Sequence, residues 1–156
     1  MQAFLFGALC KITGWRGYEA LDIFRWIVSA FTALAFALFL FWVFLNWGLA
    51  TTVLMLICLV FSQWLTVYGR NLFWVFSAFY IPFLTALFWL HWREMKSQRP
   101  LQITFLLMFG AVFLKFLFTG FEYMTTVMVM AVSPWFFYAI DRRWNAKRMV
   151  HSFLAA

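Results

Sequence analysis

WIVSAFTALAFALFLFWVFL, residues 26–45, runs for twenty positions without a charge. As an α-helix rising 1.5 Å per residue it is about 30 Å long, the thickness of a bilayer's hydrocarbon core. In lipid every backbone N–H and C=O must be satisfied inside the segment, which a helix achieves and a lone strand does not. The stretch therefore reads as a membrane-spanning helix, Trp26 to Leu45.

Composition extends this reading to the whole chain. Of 156 residues, 67% are hydrophobic and 11% charged, against roughly 45–50% and about 25% in soluble domains. A soluble domain of this length has too little interior to hide so much apolar surface. The expected class is an all-α integral membrane protein, a polytopic helical bundle forming one domain over residues 26–140.

Four further apolar runs follow: 49–68, 72–90, 101–118 and 123–140. Asn46-Trp47-Gly48, Gly69-Arg70-Asn71 and Thr119-Gly120-Phe121-Glu122 are the expected short connections. Five transmembrane helices are predicted. The alternative is four, with the Pro82-containing run re-entrant or interfacial. Pro82 and Pro134 lack a backbone donor and clash with the preceding turn, so each is expected to bend its helix. Upstream, residues 1–25 mix short apolar patches with Lys11, Arg16, Glu19, Asp22 and Arg25. Gly14 and Gly17 break any helix there, and the segment reads as an amphipathic lead-in lying in the headgroup layer. It lacks the positive stretch ahead of its apolar run that a signal peptide has, so it is expected to be retained.

Between the third and fourth runs lies His91-Trp92-Arg93-Glu94-Met95-Lys96-Ser97-Gln98-Arg99-Pro100, the one hydrophilic interior segment. Lys and Arg collect in cytoplasmic loops, so the basic residues orient the chain. Arg93, Lys96, Arg99, Arg142, Arg143, Lys147 and Arg148 share one side of a five-span topology, and Lys11, Arg16, Arg25 and Arg70 share the other. Seven against four puts the loop and the basic tail, 141–156, in the cytoplasm. The formal charge of +7 is thus read as an orientation signal and a face for anionic phospholipid or a soluble partner, not as a nucleic-acid surface. Trp26, Trp47, Trp74, Trp89, Trp92 and Trp144 fall near expected span ends, as an interfacial belt requires.

Small residues recur every fourth position at Ser29/Ala33/Ala37, Cys58/Ser62/Thr66 and Ala78/Pro82/Ala86. Such rows let helices approach closely, which matters where lipid tails are as apolar as the side chains. Gln63 beside the second row needs a hydrogen-bond partner. Lys115 is the one basic residue inside an apolar run, with Glu122 seven positions later. A charge in hydrocarbon is costly and marks a candidate functional residue. The plainer reading is a stem that snorkels to the headgroups, or a structural Lys115–Glu122 pair.

Cys10 and Cys58 show no CxxC spacing, and His91 and His151 stand alone, so no metal or cofactor is expected. No nucleophile elbow, HExxH, phosphate-binding loop or paired-carboxylate spacing appears. The sequence therefore predicts a non-enzymatic protein of the bacterial inner membrane, a subunit of a homo- or hetero-oligomeric membrane complex such as an accessory, exclusion, immunity or defence component. The competing expectation is an oligomeric ion channel or small transporter, with a path near Lys115, Glu122 and Gln63.

Overall fold

The computed structural model describes the chain apart from residues 1, 16, 70, 73–74, 96–100, 122, 147–148 and 151–156, and apart from the side chains of 2, 3, 5, 64, 66, 68, 76, 93–95 and 101. Among the described residues every regular element is helical: α1 Gln2–Thr13, α2 Gly17–Val60, α3 Gln63–Tyr68, α4 Phe76–Met95, α5 Leu101–Thr119 and α6 Met124–Asp141. Three of these, α2, α5 and α6, are long and apolar enough to cross a membrane. The chain forms two compact units, one of residues 1–78 with 117–119 and one of 79–116 with 120–156.

In the first unit, the expected break after α1 falls at Gly14 (φ 74°) and Gly17 (φ 65°). Both take the left-handed conformation that costs glycine least. The chain then returns α1 to the start of α2, where Phe6 and Trp15 pack on Phe24 with ring centroids 4.5 and 6.0 Å away. The lead-in is not separate from the first span. Residues 17–25 and 26–47 form one continuous helix, because Glu19, Asp22 and Arg25 are compatible with helix and leave its backbone bonds intact. The buried stripe of α2 is Ala20, Phe24, Val28, Thr32, Ala35, Trp42 and Val43, which follows the 3.6-residue period.

The connection expected at Asn46–Gly48 is narrower than a turn. Helix continues on both sides, and Gly48 alone leaves it (φ 80°, ψ −177°). Polar side chains gather around this break. Asn46 Nδ2 donates to the Trp42 carbonyl (2.8 Å), Thr51 to Trp47 (3.3 Å) and Thr52 to Gly48 (2.9 Å). Side chains of this kind re-satisfy carbonyls that a helix break frees in an apolar medium.

The second expected span, 49–68, is not one helix. It stops at Val60, and Ser62 has extended backbone (φ −73°, ψ 111°) before α3 begins. Serine favours this position ahead of a helix, though its side chain makes no capping bond here. The third helix is displaced from 72–90 to Phe76–Met95. It carries on into the hydrophilic segment because His91-Trp92-Arg93-Glu94-Met95 contains no helix breaker. The last two agree with expectation to within a residue.

The second unit has a regular core. α5 buries Thr104, Met108, Ala111 and Lys115, and α6 buries Val127, Ala131, Pro134, Trp135 and Tyr138. Against them α4 sets Pro82, Ala86, Leu87, Trp89 and Leu90. Two hydrogen bonds tie these helices. Trp89 Nε1 donates to Thr104 Oγ1 at 2.9 Å, and His91 Nδ1 lies 2.9 Å from the Tyr138 hydroxyl. The outer face of α5 carries a ladder of stacked rings, Phe105, Phe109 and Phe113, with successive centroids 6.2 and 6.3 Å apart.

Candidate functional site

The site begins with the spacing of α5. Thr104, Met108, Ala111 and Lys115 follow one another at intervals of four, three and four, so they share one face. Lys115 is therefore carried inward with them, and its side chain is wholly buried. Snorkelling to solvent is not what this lysine does. Its stem runs forward along its own helix, and Nζ donates to the Gly120 carbonyl at 2.8 Å.

Gly120 ends the helix. Its φ of 63° is left-handed, and its N–H bonds the Phe116 carbonyl at 2.9 Å, the arrangement in which glycine follows a helix C-terminus. The end of a helix carries partial negative charge on its last carbonyls, so an ammonium placed there is favoured. A second source of negative potential is the Phe79 ring, whose centroid lies 5.4 Å from Nζ. Phe79 in turn meets Tyr123 edge-on at 5.8 Å, and Phe116 meets Phe121 at 4.5 Å. A cation over a desolvated ring face gains about 2 kcal/mol, against 0.5–1 in the open. The lysine thus locks the α5–α6 corner together.

Glu122, the partner expected for Lys115, lies outside the described residues. Gln63 is exposed at the start of α3, in the first unit. Of the packing rows, Ala78, Pro82 and Ala86 are all buried. The others differ. Ser29 and Ser62 are half-buried, Ala33, Ala37 and Cys58 are exposed, and the Thr66 side chain is outside the described residues. Along the basic face, Lys96, Arg99, Lys147 and Arg148 are not described, nor is the Arg93 side chain. Arg142 and Arg143 are exposed at the end of α6, with Arg142 Nε 3.1 Å from Asp141 Oδ2.

His91, half-buried on Tyr138, and Trp89 on Thr104 escaped sequence reasoning because their partners lie far along the chain. The 4-3-4 spacing that buries Lys115 was available and is the signal to use. Among the described residues no group of three His, Cys, Asp or Glu side chains gathers where a metal could sit. Among the described residues the fold is all-helical, and three of its helices are long and apolar enough to cross a membrane. Comparison with protein-family models, curated proteins and solved structures finds no match to this chain.

Proposed function

We propose that this protein is a non-enzymatic subunit of a membrane complex in the bacterial inner membrane. In this reading it crosses the bilayer five times and presents a basic cytoplasmic face. The observation that carries the proposal is the unequal fate of its small-residue rows. Ala78, Pro82 and Ala86 are consumed inside the chain, whereas Ala33, Ala37 and Cys58 face outward. Small side chains give lipid little to hold, but they let another helix approach backbone to backbone. The outward rows are the natural surface for a neighbouring subunit.

Gently solubilised protein should run as an oligomer or with co-purifying subunits. Ala33→Leu is expected to weaken that association roughly tenfold, equivalent to about 1.4 kcal/mol of lost close contact. Leu34→Ala, at an exposed position one residue off the row, should leave it within a factor of two. A wholly monomeric species with nothing bound removes the proposal.

Topology has its own check. In a background lacking Cys10 and Cys58, single cysteines are introduced as Gln2→Cys, Ser97→Cys and Ser152→Cys. Five spans require an impermeant thiol reagent to label 97 and 152 from one side and 2 from the other. Labelling of all three from one side would establish four.

A further inference from the structure

We propose that the C-terminal end of α6 is a binding site for one anionic phospholipid, with Arg142 and Arg143 holding its phosphate. The inference rests on the reading above only in requiring that α6 cross the bilayer. It deepens the basic face by naming what that face binds and where.

The acyl chains have a track. Val129, Phe136 and Ile140 are 66%, 57% and 78% exposed, and their spacing of seven and four places them on one side of α6. α6 is apolar enough to span a membrane, so lipid covers this stripe by default. The helix that carries it ends at Arg142 and Arg143, both exposed.

The backbone there suits a phosphate better than most helix ends. The carbonyls at a helix C-terminus ordinarily repel an anion. Here three of them already accept bonds: Tyr138 from Arg142 N (3.0 Å), Ile140 from Arg143 N (3.2 Å) and Ala139 from Trp144 N (3.0 Å). Arg143 completes this closure in the left-handed conformation, φ 47°, where glycine is the usual occupant. A charged side chain thus stands where backbone preference alone would place none.

Asp141 opposes the phosphate, but Arg142 Nε neutralises it at 3.1 Å. That contact fixes the guanidinium by one edge. Its η nitrogens have no further bond among the described residues, and they form the fork that matches phosphate oxygens. Two arginines against one aspartate leave a net positive end to an apolar track, which is the charge and shape of an anionic phospholipid.

The test reconstitutes the full chain with phosphatidylglycerol or phosphatidylcholine and reads retained lipid by native mass spectrometry. Wild type is expected to keep phosphatidylglycerol in preference. Arg142→Gln with Arg143→Gln should weaken retention roughly thirtyfold, about fivefold for each charge near the surface. Arg25→Gln, at the opposite end of the chain, should retain as wild type does. Arg143→Gly separates binding from folding, because glycine relieves the left-handed backbone while removing one charge. Its thermal stability should rise as its lipid retention falls about fivefold. Retention by the double variant within twofold of wild type, equal retention of the two lipids by wild type, or displacement by inorganic phosphate would each overturn the site. If wild type fails to enter liposomes at all, the membrane reading falls instead, and the site with it.

Discussion

Lys115→Glu is expected to destabilise the protein by about 3–5 kcal/mol, the range for leaving an uncompensated charge in a protein interior. The lysine is wholly buried, donates to the Gly120 carbonyl at 2.8 Å and faces the Phe79 ring. A carboxylate here, on a stem two methylenes shorter, would be buried on the side of a carbonyl oxygen and the negative face of an aromatic ring. Both contacts change from attraction to repulsion at a position that is wholly buried. Lys115→Met keeps the volume and loses the bond to Gly120 and the cation over the ring. Its cost should be smaller, about 1–2 kcal/mol, because the desolvation of the ammonium is removed along with its contacts. Denaturation in detergent micelles, followed by circular dichroism, measures both variants. If Lys115→Glu melts with Lys115→Met, the lysine is not held as described.

Gly48→Ala is the next largest effect, about 2 kcal/mol. With φ 80° and ψ −177°, Gly48 occupies a backbone region essentially closed to residues with a Cβ, at a cost of 1–3 kcal/mol. A Cβ there would meet nothing within 4 Å, so the penalty is conformational and not steric crowding. Gly110→Ala is the control. It too has open space, lies inside α5 and has no positive φ, so alanine's better helix propensity should leave it neutral or stabilised by up to about 1 kcal/mol. A variant that escapes the strain by straightening would make α2 a 44-residue rod about 66 Å long, more than twice the hydrocarbon thickness. Equal stabilities for the two variants would sink the idea that Gly48 sets the break.

Much of this architecture is legible in the sequence, and the reasons differ along the chain. The junction between α5 and α6 could be bounded to within a residue because their apolar runs part at Gly120, a residue that acts on the backbone itself. Gly14 and Gly17 gave the first break for the same reason. The junction between the lead-in and the first span was misplaced because it was inferred from charge. Charge reports where water and lipid meet, whereas a helix ends only where its hydrogen bonds do. The interruption at Phe61–Ser62 has no Gly or Pro to announce it. Lys115 was weighed by its depth along the helix rather than by its face, and the face decided its burial. The bond between His91 and Tyr138 spans 47 positions, beyond any local pattern.

One turn of α4 has a consequence for how this chain can change. Trp89 reaches α5 and His91 reaches α6, so two directional bonds leave the same helix two residues apart. Together they fix α4's rotation and its height against both neighbours. Deleting one residue between Pro82 and Trp89 would turn the pair by about 100° and shift it about 1.5 Å, misaligning both bonds in one step. A single substitution in this stretch leaves the register of both bonds in place, whereas a change of length does not. Insertions and deletions are therefore expected to be tolerated in the connections and not here, with α4 as the ruler against which the second unit is assembled.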